Sequence, residues 1–255
     1  MNENGGKIMK KRQRIKTKVG LALLLVAALA LAIVPIRAWA QDTDTDGDGF
    51  TDDQESTDIR LMDGTLISTD PNTPDLFVIL VPASPSNLPA NPLEFVSKPP
   101  AEGGLGVTTH EITAAQAGPD RTVSLDSPQK AVRITEDLHP EGIILGYASQ
   151  GTPNDMDDAI IFTEHIKSYV ESVYDPAAVP AGLIDTYIRH TIAHEIGHMT
   201  RLSVDYNRRF NGYHYKAGSE VIMEQAVKYT DKKGVITFYI STEYAEPSIQ
   251  GVVLK

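Results

Sequence analysis

Between Leu183 and Leu202 the isoleucines Ile184, Ile188, Ile192 and Ile196 recur every fourth position. That recurrence is the mark of a helix with one apolar stripe. Pro180, just upstream, suits a helix start. The same segment contains His194-Glu195-Ile196-Gly197-His198. Two histidines four apart on a helix share one face, one turn from each other. Both imidazoles can then reach one tetrahedral metal ion at about 2.0–2.1 Å. Gly197, inside the motif, costs about 1 kcal/mol of helix propensity relative to Ala. A small residue there implies close approach of another backbone.

Glu195 follows the first histidine directly, where a carboxylate can hold a metal-bound water and take its proton. The pattern H-E-x-x-H therefore points to a zinc hydrolase acting on peptides. The plainer reading is a surface helix with two unremarkable histidines.

The chain has 255 residues, enough for one medium domain with additional segments. Residues 1–40 read as a signal peptide. Lys7, Lys10, Lys11, Arg12, Arg14, Lys16 and Lys18 precede the apolar run Val19 to Ile36, and Ala38-Trp39-Ala40 has the small-x-small form of a cleavage site. The rival reading is an uncleaved anchor, but an 18-residue run containing Pro35 is marginal as a span. Cleavage removes eight of 23 basic residues and one of 34 acidic ones, leaving a net charge of −18. So acidic a chain is poorly suited to nucleic acid or to anionic membranes. Secretion, or export to the periplasm, is thus expected, with no nucleic-acid partner and no stable membrane association after cleavage. The chain has no Cys, so an exported form must be stabilised by something other than disulfides, and bound metal is a common substitute.

Residues 41–75 form a second segment. From Asp44 to Glu55 the sequence fits the twelve-residue calcium loop D-x-D-x-D-G-x5-E. Asp44, Asp46 and Asp48 occupy positions one, three and five, and Gly49 takes the position of the sharp turn. Phe50 is expected to offer its carbonyl, Asp52 a water-mediated contact and Glu55 a bidentate carboxylate. Without a cation these carboxylates would repel one another. A disordered acidic linker is the alternative. Asp44 to Asp52 and Thr69-Asp70-Pro71-Asn72-Thr73-Pro74-Asp75 together resemble the thrombospondin type 3 calcium repeats. The resemblance covers 42–75 and implies a small calcium-stabilised module.

Residues 76–255 are expected to form an α+β domain. Leu76 to Val81 is a continuous apolar run that suits a buried strand. Residues 82–104 read as a long loop with a helical turn near 93–96. Residues 131–134, 142–148 and 159–162 read as strands, with a turn at His139-Pro140. A helix is expected over 163–173, and a hairpin turns at 231–234 into a strand over 235–241.

Ala193-His194-Glu195-Ile196-Gly197-His198-Met199 resembles the metzincin branch of the zincin metallopeptidases, whose motif is H-E-x-x-H-x-x-G-x-x-H. The resemblance implies a twisted sheet over an active-site helix, with a methionine turn beneath the metal. Val221-Ile222-Met223 is similar to that turn, with Met223 as its methionine. Arg201 stands in place of the motif's Gly, and Val204 in place of its third His. His214 is a displaced substitute, in a layout similar to archaemetzincins. Glu220, followed by Glu224, resembles the gluzincin arrangement, and Asp205 is a third alternative. His190 lies about 12 Å along the helix from His198, too far for His190, His194 and His198 to share one ion. His110, His139 and His165 read as surface or structural residues.

The expected function is an exported zinc-dependent endopeptidase. The expected zinc ligands are His194, His198 and His214, and Glu195 is the general base. Tyr213, Tyr215 and Tyr229 are candidate donors to the oxyanion. The alternatives are a noncatalytic calcium-dependent adhesion module with a relic zinc site, and a zinc hydrolase of non-peptide substrates. Retention of Glu195 argues against the first, because binding metal needs only the histidines.

Overall fold

The computed structural model describes residues 43–127, 129–139, 144–148, 158–173, 179–199, 228–230 and 236–238. All its described elements lie in the compact unit Asp44–Lys255. Residues 1–40, expected to be a signal peptide, lie outside the described residues, as do Asp205, His214, Glu220 and Met223.

A five-stranded, mostly parallel sheet organises this α+β unit. Its strands are β3 (Asp75–Val81), β4 (Thr108–Glu111), β5 (Val132–Asp137), β6 (Gly146–Ala148) and β7 (Asp158–Phe162). They lie in the order β4-β3-β5-β7-β6. β3 runs parallel to both β4 and β5, and β5 runs parallel to β7. Only β6 is antiparallel, pairing Gly146 with Ile161 and Ala148 with Ala159. The inner strand β3 is apolar on both sides, as a strand covered on both faces must be.

Those two faces carry two separate cores. Leu76 and Val78 of β3, Val132 and Ile134 of β5, and Ala159 and Ile161 of β7 point to one side. There they meet α3 (Thr163–Val173) and α4 (Leu183–Met199). Ile188, Ile192 and Ile196 of α4 are fully buried, so the isoleucine stripe is the face packed on the sheet. Phe77 and Ile79, the alternate residues of β3, point to the other side with Phe50, Ile59, Leu61 and Ile112. The N-terminal acidic segment is therefore packed against the back of the sheet, through Phe50. Its small elements are α1 (Asp52–Glu55) and the hairpin β1 (Ile59–Arg60) and β2 (Leu66–Ile67).

The expected strands at 76–81 and 159–162 are present, each one residue longer at its start. The expected helix at 163–173 has those same limits. The turn near 93–96 is α2 (Glu94–Ser97), followed by a 3-10 turn at Pro100–Glu102. The C-terminal hairpin pairs β8 (Lys228–Thr230) with β9 (Ile236–Phe238). The strand β4 was not legible in the sequence. Thr-Thr-His-Glu has no apolar alternation, and it forms a strand because the edge of β3 offers a backbone ladder there.

The long loop after β3 is held by one buried carboxylate. Glu136 of β5 accepts hydrogen bonds from the Ala83 amide (2.9 Å), the Ser86 hydroxyl (2.5 Å), the Asn87 amide (2.7 Å) and the Thr163 hydroxyl (2.7 Å). Burial pushes its carboxyl up, but these bonds outweigh burial and hold it below the ordinary range. Arg189 of α4 fastens the far end of the loop, donating to the carbonyls of Ala90 (2.6 Å) and Asn91 (3.1 Å).

Candidate metal centres

Helix α4 presents His194 and His198 on one half-buried strip, beside the buried isoleucine stripe. Their Nε2 atoms lie 3.2 Å apart, with the rings edge to face and 4.8 Å between centroids. Two nitrogens bound at tetrahedral angles to one zinc ion, each at about 2.0–2.1 Å, stand roughly 3.3–3.4 Å apart. The pair thus has the separation that a shared ion requires. His190, one turn earlier, is buried, and its ring lies 6.3 Å from that of His194.

Glu195 is buried, only 5% exposed, and its carboxylate accepts the backbone N–H of Ala148 at the end of β6. Burial pushes this carboxyl up to about 8, with the Ala148 bond opposing the shift. Gly146 makes the contact between β6 and α4 possible. A methyl group added there would sit 2.9 Å from Thr191 Cγ2 of α4 and 2.9 Å from the Ile160 carbonyl oxygen of β7. Only a residue without Cβ lets the strand approach the helix so closely.

The residues named as third ligand, His214, Glu220 and Asp205, lie outside the described residues, as do Tyr213 and Tyr215. Tyr229 falls in β8, but its side chain is not described. The structure therefore brings His194 and His198 together, and it buries Glu195 beside them on the helix, against the Ala148 amide of β6. Of the remaining histidines, His110 contacts Asp75 at 2.5 Å and stacks on Phe77, and the exposed His139 lies 3.2 Å from Asp137. The Nδ1 atom of His165 is buried without a hydrogen-bond partner among the described residues.

The acidic loop is a second candidate centre. Gly47 and Gly49 take left-handed conformations, φ +79° and +97°, which curl the loop back on itself. Asp44 accepts the amides of Gly47 (2.7 Å) and Gly49 (3.1 Å). The chain then enters α1 through a capping box in which Thr51 and Gln54 bond each other's backbone. That single turn returns Glu55 to face Asp48.

Two groups of carboxylates result, Asp44–Asp46–Asp48 and Asp48–Glu55–Asp75, with ligand atoms within 4.8 Å of one another in each. The groups share Asp48 and could hold a metal ion. Burial first, and neighbouring carboxylates besides, push Glu55 up to about 8 and Asp46 and Asp48 up to about 6. Asp52, expected to contact calcium through water, accepts the Thr45 amide and hydroxyl, both at 2.8 Å, and lies in neither group of direct ligand atoms. Asp75 takes part although the sequence placed it only at the end of the Thr69–Asp75 spacer and not among the ligands. It lies twenty residues beyond the loop, and only the path of the chain brings it back.

Comparison with known protein families, with characterised proteins and with solved structures finds no match.

Proposed function

We propose that this protein is an exported zinc-dependent endopeptidase. The observation that carries the reading is the His194–His198 pair, 3.2 Å apart at Nε2, with the buried carboxylate of Glu195 between them in sequence. His194 and His198 would hold the ion, with His214 as the proposed third ligand. A zinc ion bound there would supply Lewis acidity and would lower the pKa of water towards about 7.

Glu195 is the base of this scheme. Burial raises this carboxyl from its ordinary range towards neutral pH, the range in which one group can both accept and return a proton. It takes one proton from the attacking water as the water oxygen bonds to the scissile carbon. It returns that proton to the amine nitrogen as the C–N bond breaks. The Ala148 amide holds the carboxylate in place through both steps.

The position of β6 favours a peptide substrate. This strand ends the sheet order, packs against α4, and among the described residues pairs only with β7. An extended peptide can add to such an edge by backbone hydrogen bonds. Export and a calcium-stabilised loop belong to the same reading, since a bound ion would supply the cross-link that a chain without cysteine cannot get from a disulfide.

The test is hydrolysis of a mixed peptide library by the purified protein, with and without a zinc chelator, alongside Glu195→Gln. Cleavage should stop with chelator and resume when zinc is restored. Glu195→Gln should retain zinc and lose turnover by roughly 10²–10⁴-fold. A variant as active as wild type would remove Glu195 as the base. No cleavage under any metal condition would refute the peptidase reading.

A further inference from the structure

The seam between the acidic loop and the sheet contains more unsatisfied acid than a folded interior tolerates. Glu55 is 2% exposed, and no donor among the described residues reaches either of its carboxylate oxygens; the group it meets is another acid, Asp75. Asp75 is fully buried, and its Oδ2 is likewise unpartnered, as is Oδ2 of Asp46. Buried carboxylate oxygens are normally satisfied by donors or by a cation. These belong to side chains that face one another.

The seam is also built to hold those oxygens in place. The Asp75 amide donates to Asp48 Oδ2 at 2.8 Å. The buried Gln129 side chain donates to the carbonyls of Asp48 (3.0 Å) and Asp75 (2.8 Å). His110 contacts the other carboxylate oxygen of Asp75, Oδ1, and stacks on Phe77 with 4.8 Å between centroids. Phe77 in turn packs against Phe50 of the loop. Asp48 and Asp75 are thus locked side by side, and Oδ2 of Asp75 is left for another partner.

We propose that Asp75 is a calcium ligand, so that one calcium ion is held jointly by the acidic loop, through Asp48 and Glu55, and by the first residue of β3. Oxygens bound to calcium at about 2.3–2.6 Å lie no more than roughly 4.6–5.2 Å apart. The ligand atoms of Asp48, Glu55 and Asp75 all fall within 4.8 Å. The donors are hard oxygens only, and Glu55 offers both of its own, which suits calcium. Zinc prefers nitrogen or sulfur, and magnesium demands a tighter octahedron and keeps its waters. Asp75 joins Asp48 and Glu55 as a direct oxygen ligand, whereas the loop's ninth residue, Asp52, bonds Thr45 and lies in neither group.

The consequence is mechanical. The ion pins the loop to β3, which pairs with both β4 and β5. Calcium therefore stabilises the sheet itself and does more than order a linker. This inference does not rest on the peptidase reading, and its test does not read activity.

Calcium chloride is titrated calorimetrically into the full-length protein and into Asp75→Asn and Asp52→Asn. Asp75→Asn keeps the size of the side chain and an acceptor for His110, but removes the charge. It should lower calcium affinity at least tenfold, while Asp52→Asn stays within threefold of wild type. On the wild-type protein, calcium should slow amide hydrogen exchange in β3 at least tenfold, and magnesium at the same concentration should not. The exchange measurement decides the matter if Asp75→Asn fails to fold. Overturning results are no calcium uptake by wild type at millimolar concentration, wild-type affinity in Asp75→Asn, an equal loss in Asp52→Asn, or β3 exchange indifferent to calcium.

Discussion

Replacing Gly146 with Ala tests whether the approach of β6 to α4 sets the geometry around Glu195. The new Cβ would lie 2.9 Å from Thr191 Cγ2, 2.9 Å from the Ile160 carbonyl oxygen and 3.2 Å from Ile161 Cδ1. Carbon atoms in contact prefer about 3.5–4.0 Å, so the strand must retreat by several tenths of an ångström or the neighbours must move. One of the three obstacles is backbone of the adjacent strand and cannot change rotamer. Overpacking of this kind costs about 1–3 kcal/mol. For a unit of this size that corresponds to a fall in melting temperature of roughly 2–12 °C. Any retreat of β6 also draws the Ala148 amide away from Glu195, so peptide cleavage should fall by more than stability alone explains. Thr191→Ser removes Cγ2 but leaves the Ile160 carbonyl. The double variant should therefore recover part, and not all, of the lost stability. Thermal and urea denaturation of the four proteins close the mutant cycle. A Gly146→Ala protein as stable as wild type, or a double variant no better than the single one, would refute the argument that close packing requires Gly146.

Glu136→Gln should destabilise by about 2–4 kcal/mol at pH 7, because one oxygen that accepts two hydrogen bonds becomes an NH₂ group facing donors. Because the folded-state carboxyl lies below its ordinary value, its contribution is present above the unfolded pKa and is lost as pH falls through the folded one. Denaturation from pH 7 downwards should therefore show the two proteins converging below about pH 4; a gap independent of pH would contradict this. For the third zinc ligand, His214→Ala should lose zinc severely while Glu220→Ala and Asp205→Ala retain it, because imidazole is the better zinc donor. Zinc content of the three purified variants decides it, and loss confined to Glu220→Ala would favour the gluzincin arrangement.

Much of the architecture could be read from local pattern. The isoleucines of α4, one turn apart, mark its buried face, because helix period and side-chain chemistry are both local properties. The apolar run of β3 and the limits of α3 were legible for the same reason. So was the turn at Gly49, whose position in the acidic motif demands a left-handed backbone that it adopts at φ +97°. The spacing of His194 and His198 likewise determined, without further structure, that both could face one ion. Other features depended on contacts distant in sequence. The ladder that makes Thr108–Glu111 a strand belongs to β3, whose paired residues lie 33 positions earlier in the chain. The burial that raises Glu195, and the Ala148 amide that holds it, come from β6 lying against α4. Asp75 enters the acidic cluster because Phe50 seats the loop on the back of the sheet and the Asp75 amide bonds to Asp48. Periodicity and motif spacing are set by neighbours along the chain. Desolvation and the meeting of distant carboxylates are set by which surfaces pack together, and that was decided only by the tertiary fold.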